Sequence, residues 1–80
     1  MTVDSVIEKI DVLLDDNSVP KNIKRSAEEA RTVLLDGAES DLNVKKNEVF
    51  SILEEVADDS NVPIPAMTKL WAVLSELESL

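Results

Sequence analysis

With 80 residues, a net charge of −9, 44% apolar side chains and neither Cys nor His, the chain reads as one small acidic domain. The acid excess weighs against nucleic acid and against anionic membrane surfaces, both of which are held through Lys and Arg. Lack of Cys and His removes disulfides, the usual zinc sets, the Glu-x-x-His di-iron site and the commonest general base.

The first element is set by Val3, Val6, Ile7, Ile10, Leu13 and Leu14, which recur at three- and four-residue spacing. That spacing predicts an amphipathic helix over residues 3–14. Asp4 and Glu8 sit where carboxylates favour the helix dipole. Residues 15–19 form a turn, and Pro20 fits the first turn of a second helix that runs to about Leu35. Its inner face is Ile23, Ala27, Ala30 and Leu34. Gly37 is the expected left-handed stop.

Residues 38–41 link to a third helix, with Ser40 or Asp41 as its N-cap. That helix continues to about Ala57 and turns Leu42, Val49, Phe50, Ile52, Leu53, Val56 and Ala57 inward. A second turn spans residues 58–62. Pro63 and Pro65 are expected in the first turn of a fourth helix that runs to near the C-terminus. Strand-like alternation is absent.

Residues 6–34 and 49–77 are two versions of one pattern. Asp15-Asp16-Asn17-Ser18-Val19-Pro20 returns as Asp58-Asp59-Ser60-Asn61-Val62-Pro63, a shift of 43 from position 15 to position 58. At that shift Val6, Ile7, Ile10, Leu13 and Leu14 fall on Val49, Phe50, Leu53, Val56 and Ala57. Beyond the turn, Ile23, Ala27, Ala30 and Leu34 fall on Ala66, Leu70, Val73 and Leu77. The pattern predicts an all-α protein: an antiparallel four-helix bundle made of two similar helical hairpins, about 3–37 and 41–80, in a single domain over 1–80. The alternative architecture is two HEAT-like helical repeats, whose period of about 40–47 residues also admits this shift.

The two hairpins differ along one row. Helix 2 carries Lys24, Glu28 and Arg31, where helix 4 carries Met67, Trp71 and Leu74. Two explanations follow. Either Trp71 fills space left by Ala27 and Ala30 in a lopsided core, or Met67, Trp71 and Leu74 form an exposed strip that meets another protein or a second copy.

Charge gives a second candidate. Lys21, Lys24 and Arg25 cluster at the start of helix 2, and Lys45 and Lys46 near the start of helix 3, where cations oppose the dipole. Asp15, Asp16, Asp58 and Asp59 would share one end of an up-down-up-down bundle and could face that first cluster. The sharper reading is an anion or acidic-partner site at Lys21, Lys24 and Arg25. The Asp turns lack the central Gly and twelfth-position Glu of a calcium loop, so turn formation explains them and no metal is expected. Ser26, Ser51 and Ser75 have no base partner of known type, and no catalytic residue or cofactor is expected.

The run Asp16-Asn17-Ser18-Val19-Pro20-Lys21-Asn22-Ile23-Lys24-Arg25-Ser26-Ala27-Glu28-Glu29-Ala30 resembles a small archaeal family, the uncharacterised-protein family numbered zero-one-four-seven. Ser60-Asn61-Val62-Pro63-Ile64-Pro65-Ala66, leading into Leu70-Trp71, is similar to the C-terminal part of that family. The resemblance covers nearly the whole chain. It implies a compact four-helix bundle in an archaeal cytoplasm and implies no activity.

The expected function is therefore a non-enzymatic helical protein acting through a protein partner, or through self-association as a homodimer, by way of helix 4. The alternative is a binding module for an anionic ligand or acidic partner at the start of helix 2. No nucleic acid and no membrane are expected, because no apolar run approaches the roughly 20 residues of a span. Cytoplasmic location is the plain expectation.

Overall fold

The apolar spacing closes into four helices in the computed structural model, which describes residues 2–59 and 61–80. They are α1 (Val3–Asp15), α2 (Lys21–Leu35), α3 (Leu42–Ala57) and α4 (Ile64–Glu78). Each start has a local cause. The Thr2 hydroxyl accepts the Ser5 N–H at 3.2 Å and caps α1. Asp41, the second of the two expected candidates, caps α3 by accepting the Asn43 N–H at 2.9 Å. Pro20 and Pro63 stand one residue outside their helices as N-caps, and of the expected prolines only Pro65 lies inside a first turn. The Pro20 and Pro63 carbonyls accept the N–H groups of Lys24 and Met67 at 3.1 and 2.9 Å, which starts each helix without a side-chain cap.

Asp residues make the turns. Asp16 accepts the Ser18 N–H at 2.9 Å and the Ser18 hydroxyl at 2.7 Å. Asp59, its repeat counterpart, accepts the Asn61 N–H at 2.9 Å. Ser60, part of the second turn, lies outside the described residues. The expected left-handed stop at Gly37 is not used, since no residue described has positive φ. Instead α2 ends at Asp36 in extended backbone, with φ −67° and ψ 113°. The Asp36 carboxylate accepts the Ala38 N–H at 2.9 Å, so a side chain closes the turn that glycine was expected to close.

The helices form a closed ring in which α1 meets α2 and α4, and α3 meets α2 and α4. The backbones of neither diagonal pair, α1 with α3 or α2 with α4, approach one another closely. HEAT-like stacking would lay equivalent helices of successive units side by side, and here those are the diagonal pairs. The contact between α1 and α4 closes the bundle instead. Of the four contacts, α3 with α4 is the loosest.

The core is built from the repeated positions. Val6, Ile10, Ile23, Ala27, Ala30 and Leu34 are buried, and so are Val49, Leu53, Ala66, Leu70, Val73 and Leu77. Leu13 and Val19 join them. Among the described residues every buried side chain is apolar, and no buried polar atom lacks a partner. Two inward expectations for α3 fail in part. Leu42 is exposed, because it is the first residue of α3 and projects past the end of the packed layers. Ile52 is only half-buried, on the side turned to α2.

Ile10→Ala and Leu53→Ala remove equivalent buried side chains from the two repeats. Each is expected to cost about 2–5 kcal/mol in urea unfolding, whereas Val12→Ser on the exposed side of α1 should change stability by about 0.5 kcal/mol or less.

Candidate functional site

The outer row of α4 is apolar where the same row of α2 is charged. Met67 and Leu74 are half-buried against the core, while Trp71 is 61% exposed. One turn earlier Ile64 is 82% exposed and extends the strip. The matching residues of α2 are Lys21, Lys24, Glu28 and Arg31. Lys21 and Glu28 are exposed like Ile64 and Trp71, and Lys24 and Arg31 are half-buried like Met67 and Leu74. The same four places therefore carry charge in one hairpin and hydrocarbon in the other, at matched burial.

Trp71 does not fill space beside Ala27 and Ala30. It is exposed on the outer row of α4, and α4 lies diagonally across the bundle from α2. The core residues at the repeat positions of those alanines are Leu70 and Val73, so small side chains on α2 are balanced by larger ones on α4.

The row on α2 borders α1. Arg31 Nε donates to Asp11 Oδ1 at 3.0 Å, with both side chains about half exposed. Leu74 takes the place of Arg31 in the second hairpin, and Glu54 that of Asp11. An ion pair that bridges α1 and α2 is thus replaced between α3 and α4 by a leucine and an exposed glutamate. Among the described residues the Glu54 carboxylate has no hydrogen-bond or ion-pair partner.

The basic cluster is arranged differently from expectation. The turn aspartates do not pair with Lys21, Lys24 or Arg25. Asp16 pairs with Lys69 of α4, because α4 and not α2 lies beside the end of α1 on that side. Among the described residues Lys21, Lys24 and Arg25 form no ion pair. Lys21 and Arg25 are exposed and Lys24 is half-buried. At the opposite end Lys46 Nζ donates to the Glu78 carbonyl at 3.3 Å. A cation at the start of α3 thereby serves the C-terminus of antiparallel α4, where positive charge is favourable.

The repeat shows a second exchange. Lys69 corresponds to Ser26, so the groove between α2 and α3 holds Ser26, Asn22, Glu29, Glu55 and Asp59 with no ammonium among them. Among the described residues no three carboxylates gather as metal ligands. Asp16 and Asp59 are occupied with backbone N–H groups of their own turns.

The Lys69 ammonium beside Asp16, helped by the Ser18 hydroxyl and N–H, holds the Asp16 carboxyl well below the usual carboxylate range. Neither this pair nor the place of Ile64 in the strip is among the expectations from sequence. Aligning the repeats one turn further, Lys21 with Ile64, would have found the isoleucine. The pairing of Asp16 with Lys69 depends on which helices are neighbours.

A model of the uncharacterised protein family UPF0147 matches residues 1–80. A UPF0147 protein of Methanothermobacter thermautotrophicus is 44% identical over 79 residues, which is 99% of this chain and 76% of that protein. One from Thermococcus kodakarensis is 41% identical over 68 residues, 85% of this chain and 81% of the relative. The crystal structure of a UPF0147 protein from Thermoplasma acidophilum has a TM-score of 0.89 at 36% identity, covering 96% of this chain and 89% of the other. A crystal structure of a protein of unknown function gives 0.87 at 26% identity, covering 98% and 88%. Among the described residues no helix is long and apolar enough to cross a membrane.

The depressed Asp16 carboxyl predicts a pH signature. Its stabilisation is complete above the unfolded pKa of about 3.9 and is lost as pH falls from there through the lower folded value. Lys69→Met should lower the urea midpoint at pH 7, and the deficit against the parent should narrow as pH falls below about 4. A deficit that stays constant across that range would assign Lys69 to packing.

Proposed function

This chain belongs to UPF0147, an archaeal family with no assigned activity, and from that premise we propose that it catalyses no reaction and works by presenting α4 to another protein or to a second copy of itself. One observation carries the proposal. Ile64, Met67, Trp71 and Leu74 occupy places where Lys21, Lys24, Glu28 and Arg31 serve the same fold at the same burial. Folding does not require hydrocarbon there, so the strip calls for a reason outside the fold. Large aromatic and Met side chains in an exposed row suit a contact face. The lack of His and Cys supports a role without catalysis. The proposed place of action is the cytoplasm, which the cysteine-free composition supports.

A second reading keeps Lys21, Lys24 and Arg25 as a site for an anionic ligand or acidic partner. It is favoured by three cations that have no ion-pair partner among the described residues, at a helix start that has no side-chain cap. The chain's net charge of −9 works against it. Inorganic phosphate should then shift the amides of residues 21–25, and added salt should reverse the shift.

Trp71→Glu tests the first reading. The variant should fold, with stability within about 0.5 kcal/mol of the parent, because Trp71 is mostly in water. Its mass in solution, or the protein recovered with it from native cells, should differ from that of the parent. Unfolding of the variant would return Trp71 to a packing role, and unchanged association would remove α4 from consideration.

A further inference from the structure

The reading of α4 as a contact face leaves its occupant unnamed, and the groove between α3 and α4 narrows the choice by charge. Glu54 follows Phe50 by four residues and corresponds to Asp11, which faces α2 across the first hairpin. The repeat thus sets Glu54 toward α4, alongside Leu74. Asp58 continues the Glu54 row at four-residue spacing, and Glu78 continues the Trp71 row at seven. All three carboxylates are exposed. The apolar strip therefore has acid along the middle and N-terminal part of its α3 side, at Glu54 and Asp58, with Glu78 at its C-terminal end.

Of the cations of these two helices, Lys69 and Lys45 are directed elsewhere and Lys46 borders the end of the groove. Lys69 pairs with Asp16 of α1, whereas Lys46, four residues before Phe50 on the Glu54 row, donates across to the Glu78 carbonyl and puts a cation at the C-terminal end of the strip. Lys45 precedes Ile52 by seven residues and shares its side of α3, toward α2. In the first hairpin Arg31 closes the equivalent groove by reaching Asp11, whereas Leu74 cannot reach Glu54 in that way.

We propose that the α3–α4 groove takes one amphipathic helix of a partner protein, with its apolar face on Met67, Trp71 and Leu74 and its Lys or Arg side chains on Glu54 and Asp58. The inference rests on the reading of α4 as a contact face. A second copy of this chain fits less well, because pairing two α4 faces brings two acidic rims together on molecules that each carry −9. The eleven residues from Ile64 to Leu74 span about 15 Å along the helix, so about three turns of a partner helix cover the strip. The partner supplies the cation that Arg31 supplies internally in the other half.

Two synthetic peptides of four helical turns test this. Both carry Leu at helical spacing, one with Lys at the flanking positions and the other with Glu. Each is titrated into isotope-labelled protein while backbone amides are followed. The Lys peptide is expected to shift Phe50, Glu54, Met67, Trp71 and Leu74. Leu74→Arg copies the residue of the first hairpin and should fold with the introduced guanidinium paired to Glu54, which closes the groove. Binding of the Lys peptide to that variant should weaken by about tenfold or more. Equal binding of the Glu peptide to the same amides would overturn the cationic partner and leave α4 as a contact face. Self-association of the free protein through those amides would do the same in favour of a second copy. Shifts confined to the turn aspartates or to α1 and α2 would overturn the site. If neither peptide binds and the protein stays monomeric, both this inference and the contact-face reading fall.

Discussion

The closure of two apolar faces on one another carries the rest of the structure. Each hairpin alone exposes a stripe of Val, Ile and Leu, and the two stripes meet in one cluster that includes Ile10, Ile23, Leu53, Leu70 and Leu77. A chain of this size buries only roughly 60–65% of the surface its unfolded form exposes. It has no Cys to reinforce it. Since every buried side chain described is apolar, removal of hydrocarbon from water is the dominant favourable term. Burial of one Leu or Ile side chain contributes about 1.5–3 kcal/mol before conformational entropy is counted. A modest stability with little redundancy follows, in which each repeated core position matters in both halves.

Around that layer the polar contacts orient more than they stabilise. Asp11 with Arg31 ties α1 to α2, Asp16 with Lys69 ties α1 to α4, and Lys46 ties the start of α3 to the end of α4. Of these contacts, the half-exposed Asp11–Arg31 pair is worth about 0–1 kcal/mol. Together the contacts link three of the four helix neighbours and so help fix how far one helix slides along another. The loosest neighbour pair, α3 with α4, is also the pair whose bridging arginine has become a leucine.

That exchange is where architecture gives way to function. A duplicated unit offers an internal control, because each position of one half shows what the fold asks of the other. Where both halves bury hydrocarbon, as at Val6 and Val49, packing is the sufficient reason. Where one half is content with Lys21 and Glu28 and the other presents Ile64 and Trp71 to water, packing is not sufficient. The acidic surroundings of the strip then add a sign to its apolar character, which area alone would not supply.

Period and shift in the sequence determined the four helices, their approximate limits and the repeated core positions, because burial of one face imposes three- and four-residue spacing whatever the neighbours are. The same pattern made Met67, Trp71 and Leu74 visible as a departure between the halves. Neighbourhood was decided only by the tertiary structure. Sequence could not place α4 diagonally from α2, and that placement sends Trp71 into water and not against Ala27 and Ala30. Nor could it choose Lys69 over Lys21, Lys24 and Arg25 as the partner of Asp16, since ion pairs follow distance in space. The turn after α2 was misassigned for a local reason: an Asp36 side chain satisfies the backbone as well as a left-handed glycine does, and composition does not distinguish the two solutions.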